Sequence, residues 1–144
     1  MLNKKLINLL NENKKKILKS RIICIGDIIL DHYINGKVER MSPEAPVPIL
    51  LTKNKKYVIG GAGNVATNIS NMGAKTTLIC LSGNDSSSVT ISKLLSEHKL
   101  IKNLSIEVPN FKTLIKTRFI NNAEHLLRVD NVNINFKLIK NKRY

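Results

Sequence analysis

Aromatic side chains are scarce in this sequence: three Phe, three Tyr and no Trp among 144 residues. Any core must therefore rest on Ile, Leu and Val, residues that suit sheets covered on both faces, and an α/β class follows as the first expectation. Acidic residues are also few, ten against 24 Lys and Arg, which leaves a formal charge of +14. An excess of that size raises nucleic acid or an anionic membrane surface as partners. The lysines, however, are dispersed through an Asn- and Ile-rich background, with no RNA-binding signature, zinc spacing or basic recognition helix. Neither nucleic acid nor membrane is expected as a partner, although acidic small molecules such as sugar phosphates would still be attracted. Only two cysteines occur, Cys24 and Cys80. Each sits in an apolar run with no His at metal-ligand spacing, so buried free thiols are expected. No signal peptide is evident and no apolar stretch approaches the roughly 18 residues of a membrane span, so a cytoplasmic location is expected.

What is present reads as alternating elements. Leu2, Leu6, Leu9, Leu10 and Ile17 recur among lysines with the spacing of an amphipathic surface helix over 1–20. RIICIGD at 21–27 is a β-branched run that ends on Gly26 and Asp27, the pattern of a buried parallel strand with a polar carboxyl end. Ligands of α/β sheets bind at such ends. From 28 to 58 no helical period appears, and Pro43, Pro46 and Pro48 in SPEAPVP forbid helix and favour edge or extended backbone, which predicts a small β flap. GGAGNVATNISNMGA at 60–74 reads as a loop followed by a helix with Gly73 as its C-cap. KTTLICL at 75–81 predicts a second buried strand, and SGNDSSS supplies caps for a helix running to about His98. TLIKTRFI at 113–120 and HLLRVD at 125–130 are extended, after a loop around Pro109.

The Gly-rich turn admits three explanations on the residues alone. GAGNVA satisfies the G-x-G-x-x-A form of a dinucleotide fingerprint, with Asp85 about twenty residues on, but a Pro-rich flap separates it from the first strand. Alternatively the glycines serve only a tight turn. In the third explanation the loop N–H groups and Asn64 hold a polar ligand at a helix N-terminus. Asp27 and Asp31 form G-D-x-x-x-D at the sheet's carboxyl edge, where carboxylates can clamp a polyol or simply cap a turn. Lys116 and Arg118 alternate on one strand and so share a face, with Arg128 on the next, an arrangement that can bind phosphate or merely be solvated. His32, His98 and His125 show no spacing that suggests a metal or a triad.

Taken in order, IGDIILDHY, GKVERMSPEAPVPIL, IGGAGNVATNISNMGA, LSGND and KTRFINNAEHLLRVD resemble the first half of the ribokinase-like (PfkB-type) sugar kinases. R-x-S-P-E-A-P-V-P followed by G-G-A-x-N-V-A-x-N is similar, more narrowly, to the heptose 7-phosphate kinase domain found fused to an ADP-heptose-forming nucleotidyltransferase. The resemblance spans about 21–131. It implies a mostly parallel sheet between helices with a small β-lid at about 33–58 and 113–121, followed by a basic tail at 132–144. It also implies substrate-binding roles: Asp27 and Asp31 for sugar hydroxyls, Gly60, Gly61 and Asn64 lying against the sugar, and Lys116, Arg118 and Arg128 for the 7-phosphate. Arg40, beside the proline segment, is a weaker candidate.

Departures from the family pattern shape the functional expectation. The Gly-Ala-Gly-Asp turn whose Asp activates the accepting hydroxyl is missing from the sequence, and the one Asn-x-x-Glu string, at 121–124, falls inside KTRFINNAEHLLRVD rather than after it, where the element that serves magnesium-bound phosphates would stand. The one GAG, at 61–63, leads into Asn64. His32 stands where related kinases often have Arg. Phosphoryl transfer depends on positioning the nucleophile and stabilising charge on the moving group. The expectation is therefore the sugar-binding part of an ATP- and Mg2+-dependent heptose 7-phosphate kinase, in the pathway to ADP-heptose and lipopolysaccharide core, with no catalytic residue of its own. ATP and Mg2+ are not expected to bind well to the chain alone. The expected partners are heptose 7-phosphate and either a second copy through the lid or a separately encoded C-terminal half; a kinase for another sugar is the rival reading.

Overall fold

In a computed structural model, residues 4–131 are described. The basic tail expected at 132–144 and Leu2 of the first helix lie outside them. The elements are α1 (Lys4–Lys19), β1 (Arg21–Ile25), β2 (Ile28–Met41), β3 (Pro48–Gly61), α2 (Ala62–Asn71), β4 (Lys75–Ser82), α3 (Ser86–Ser96), β5 (Ile101–Glu107), β6 (Leu114–Asn121) and β7 (Glu124–Asn131). They build two sheets: a three-stranded sheet in the order β1-β4-β5 and a four-stranded sheet in the order β3-β2-β6-β7.

The first sheet is all parallel, β4 pairing with β1 on one side and β5 on the other. Its strands are linked by α2 and α3, the crossover connection that parallel strands require. Cys24, Leu78 and Cys80 point to the helix side and meet Ala66, Ile91 and Leu95 in the core. Both thiols are free and buried, as the sequence led us to expect. Burial pushes the Cys80 thiol up, against a hydrogen bond with Ser105 that lowers it. A thiol held protonated in apolar surroundings is inert.

Among the described residues, nothing covers the opposite face of this sheet. Ile25 is 75% exposed and Ile106 55%, and the register aligns Ile25 with Ile79 and Leu104, and Leu81 with Ile106. Neither α2 nor α3 reaches this side. In α1, Ile7 and Leu9 are exposed, and Leu18 lies against Gly73. The helix α2 ends at Asn71 with Met72 as its C-cap, and Gly73, expected as the cap, follows at φ 98, its N–H donating to the Ser70 carbonyl.

The second sheet is larger than the expected flap. β2 and β3 form a hairpin with 14 residues in each strand, running from the core to the SPEAPVP turn. β6 adds parallel to β2, and β7 closes the sheet antiparallel to β6. The expected spans of 33–58 and 113–121 fall inside it, but the strands start at Ile28 and the sheet takes in β7 as well. Its root is tied into the common core through Ile28, Leu30 and Ile59, with Ile115 packed against them.

Two further differences have local causes. No loop separates β3 from α2, because Gly61 turns the chain within one residue at φ 59, ψ −139. Only glycine adopts that backbone region without strain. The next N–H, from Ala62, donates to the Asp27 carbonyl at 2.8 Å. The helix predicted to reach His98 ends at Ser96 with Glu97 as C-cap.

Candidate functional site

Alternation along β2 separates two sets of side chains. Ile28, Leu30, His32 and Ile34 face one side, while Ile29, Asp31 and Tyr33 face the other. The register places Asp31 beside Val58 and Lys116, and Tyr33 beside Arg118. Across the next pairing Lys116 lies opposite Asp130, and Arg118 opposite Arg128. One face of the second sheet thus collects Asp31, Tyr33, Lys116, Arg118, Arg128 and Asp130.

Within it Arg118 Nη1 donates to Asp31 Oδ1, forming an ion pair whose side chains are 18% and 16% exposed. That shielding makes the pair stronger than a surface one. The guanidinium also sits 5.2 Å from the Tyr33 ring centroid, within range of a cation–π attraction. The Arg118 pKa is raised chiefly by its hydrogen bond to Asp31, against the lowering effect of burial. Arg128 Nε pairs with Asp130 Oδ1 at 2.8 Å. Lys116, between Asp31 and Asp130 in register, has no ion-pair partner among the described residues.

Gly60 explains why Asp31 can lie as it does. A Cβ at Gly60 would collide with Asp31 Oδ2 and come within 3.3 Å of Ile29 Cβ. The absence of a side chain therefore leaves the carboxylate lying over the backbone of β3. Gly61 plays a different part, since a Cβ there would collide with the carbonyl oxygen of Asp27. These glycines are the last two residues of a strand rather than a free loop.

The structure joins some of the sequence-predicted residues and separates others. Asp31, Gly60, Lys116, Arg118 and Arg128 share one surface. Asp27 adjoins its root through the Ala62 contact, and its exposed carboxylate has no hydrogen-bond or ion-pair partner among the described residues. Asn64, in the first turn of α2, lines a different cleft of about 280 Å³ with Tyr57, Thr67, Leu94, Glu97 and His98. Arg40 lies nine residues beyond Asp31 on β2, about 30 Å away at strand rise, and is not part of the cluster.

His32 faces the side opposite Asp31. It stacks on Tyr57 with centroids 4.4 Å apart, and its Nε2 is buried with no hydrogen-bond partner. Burial, then the nearby Lys55 charge, lowers its pKa. A neutral imidazole at 32 thus belongs to the helix-facing side of the sheet and leaves the acidic and basic face untouched.

Asp85 is no ribose ligand. Its Oδ1 accepts from the N–H groups of Ser87 and Ser88 at the start of α3, and its Oδ2 from Thr113 N–H at 2.9 Å. Thr113 Oγ1 in turn accepts from Gly83 N–H. The pair ties the end of β4 to the start of β6, the strand that carries Lys116 and Arg118. Burial works to raise the Asp85 pKa, but the hydrogen bonds from Thr113, Ser88 and Ser87 outweigh it, and the net shift is downward.

Tyr33, Asp130 and Thr113 were missed by sequence reasoning. The signal for the first two was alternation itself, each lying two residues from a candidate on its strand. No group of His, Cys, Asp and Glu able to hold a metal ion occurs among the described residues.

Residues 19–141 match the pfkB family carbohydrate kinases. The chain belongs to that family. It is 40% identical over 119 residues to the bifunctional protein HldE of Rhodospirillum rubrum, covering 82% of this chain and 24% of that protein. Over 124 residues it is 36% identical to the HldE of Paramagnetospirillum magneticum, covering 86% and 25%. It therefore spans about a quarter of the length of these curated relatives. Among solved structures, a carbohydrate kinase from Agrobacterium tumefaciens superposes with a TM-score of 0.63 at 17% identity, over 78% of this chain and 35% of that one. An Arabidopsis thaliana ribokinase complexed with ribose and ATP gives 0.60 at 14%, over 77% and 35%. The likeness establishes the ribokinase-like fold. No helix among the described residues is long and apolar enough to cross a membrane.

Proposed function

We propose that this chain is the sugar-phosphate-binding part of a carbohydrate kinase whose substrate is D-glycero-D-manno-heptose 7-phosphate. The parent reaction would be transfer of the γ-phosphoryl group of ATP to the anomeric hydroxyl. The observation that carries this reading is the single face on which Asp31, above Gly60, lies beside Lys116, Arg118 and Arg128. A carboxylate accepts hydrogen bonds from neighbouring hydroxyls, and a cationic face that includes arginine suits the geometry of a phosphate. The HldE relatives and the SPEAPVP segment favour a heptose over other sugars. Asp27 and Gly61 are proposed to contact the sugar from the root of the sheet, without Asn64, which lines the other cleft, and with the second sheet as the lid and the residues from Arg21 on as the N-terminal part of the kinase domain.

Binding is tested by calorimetric titration of the chain with heptose 7-phosphate. Binding is expected, and the double variant Lys116→Gln, Arg128→Gln should weaken it roughly tenfold or more, the size of one or two charge-assisted bonds. The same double variant should leave the unphosphorylated heptose unaffected. Absence of binding to the unaltered chain would sink the reading. The chain alone is expected to release no ADP from ATP.

The uncovered apolar face supports a second reading, in which the chain works as one module of a split kinase beside a separately supplied C-terminal half. Exposed Ile23, Ile25, Leu104 and Ile106 form the kind of patch that monomers rarely leave bare. Restored turnover on adding such a half would support it.

A further inference from the structure

We propose that Arg118 and Asp31 form a specificity latch: in the ligand-free chain the guanidinium occupies the hydroxyl-binding carboxylate, and the phosphate of the incoming sugar draws it away. The inference rests on the proposed sugar-phosphate reading and deepens it.

Carboxylate chemistry sets the problem. Asp31 Oδ1 is engaged by Arg118, and Oδ2 lies over Gly60. A sugar hydroxyl that needs Oδ1 must displace a charge-assisted hydrogen bond, about twice as strong as a neutral one. A neutral hydroxyl offers too little in return. The pair is largely shielded from water, with side chains 18% and 16% exposed, so solvent does not loosen it.

A phosphate changes the balance because of what stands opposite Arg118. Its cross-strand neighbour is Arg128, and like charges directly opposite on a sheet repel each other. At present each arginine has its own carboxylate, Arg118 taking Asp31 and Arg128 taking Asp130. Lys116 lies beside them, so three basic groups face two carboxylates and the surface keeps a positive excess. A dianionic phosphate can satisfy both guanidinium groups at once, converting the Arg–Arg opposition into a single anion seat. The bond lost to Asp31 is then replaced by an equivalent one, and Oδ1 is released for a hydroxyl of the same molecule. A ligand shifts such an equilibrium only by its differential affinity for the two arrangements. Phosphorylated sugars supply that difference and unphosphorylated ones do not.

The latch makes a prediction with opposite signs for two ligands. Calorimetric titrations of the full chain use heptose 7-phosphate, the same heptose without phosphate, and inorganic phosphate, with circular dichroism confirming the fold of each variant. Arg118→Gln opens the latch permanently: the unphosphorylated heptose should bind about tenfold tighter while the 7-phosphate binds about tenfold weaker. Asp31→Asn frees Arg118 from its partner, so inorganic phosphate should bind about threefold tighter, a gain that structural damage would not produce. If Arg118→Gln weakens the 7-phosphate and leaves the unphosphorylated heptose unchanged, Arg118 is a phosphate ligand only and the latch is overturned. Unchanged or weakened phosphate binding in Asp31→Asn overturns it too, and decides alone should Arg118→Gln not fold. Failure of the unaltered chain to bind heptose 7-phosphate removes the underlying reading and the latch together. Binding of heptose 7-phosphate without the opposed shifts removes only the latch.

Discussion

The two sheets of this chain solve different problems with similar residues. The parallel sheet β1-β4-β5 buries one face under α2 and α3 and puts no charge there, so its side chains decide whether the domain folds. The mixed sheet β3-β2-β6-β7 enters the core only at its root and then runs outward, with every residue of β7 exposed. That part adds Ile34 and Ile120 to the buried apolar residues, and its other face holds the charged cluster. Stability and recognition are therefore separable, and substitutions in one sheet should leave the other's property largely intact.

The largest effect should come from the first sheet. Leu78, fully buried, should cost about 2–5 kcal/mol on change to Ala, the range for an aliphatic side chain removed from a packed core. A urea titration measures it. If Leu78→Ala unfolds as late as the unaltered chain, the parallel sheet is not where stability lies. Next is the junction. Gly61→Ala forces a side chain into a backbone region costing about 1–3 kcal/mol and against the Asp27 carbonyl, so the melting temperature should fall although no charge changes.

Smaller again is the clamp between the sheets. Asp85→Ala removes an N-cap worth about 0.5–2 kcal/mol together with the Thr113 contact. Because the folded-state pKa of Asp85 lies below its unfolded value, its contribution is fully present above the unfolded carboxylate value, about 3.9. It is lost as pH falls through the folded pKa. Urea midpoints of the unaltered chain and Asp85→Ala should differ at pH 7 and converge in acid; a constant difference would mean that the carboxylate charge is not what holds the clamp. Smallest is the exposed Lys37–Glu39 pair on β2, both side chains half exposed. Glu39→Gln should shift stability by less than about 1 kcal/mol, and a larger loss would show that the outer hairpin supports the fold after all.

Where the sequence carried a strong local signal, the elements follow it. RIICIGD and KTTLICL became the parallel strands β1 and β4, as their unbroken β-branched runs indicated, but β1 is an edge strand in which only Cys24 is buried, not the buried strand expected. SGNDSSS became the cap of α3, with Asp85 and Ser88 exchanging hydrogen bonds, since capping depends on neighbours in the chain. IKNLSIE was not recognised as β5: an edge strand with Lys102, Asn103 and Ser105 among its residues offers neither a continuous run nor a clean alternation. The proline segment announced an extended region but not its extent. Those prolines forbid helix locally and say nothing about how far a hairpin runs.

By itself the sequence determined the family, the order of the strands and helices other than β5, and the alternation that puts Lys116 and Arg118 on one face. All of these depend on residues close in the chain. Tertiary structure alone decided that Asp31 and Arg118, 87 positions apart, would neutralise each other, and that Asn64 would turn toward a different cleft. It also decided that Asp85 would hold β6 rather than a nucleotide. Such pairings depend on which strands lie side by side in register, and strand register is fixed by the packing of the whole sheet rather than by any local run of residues.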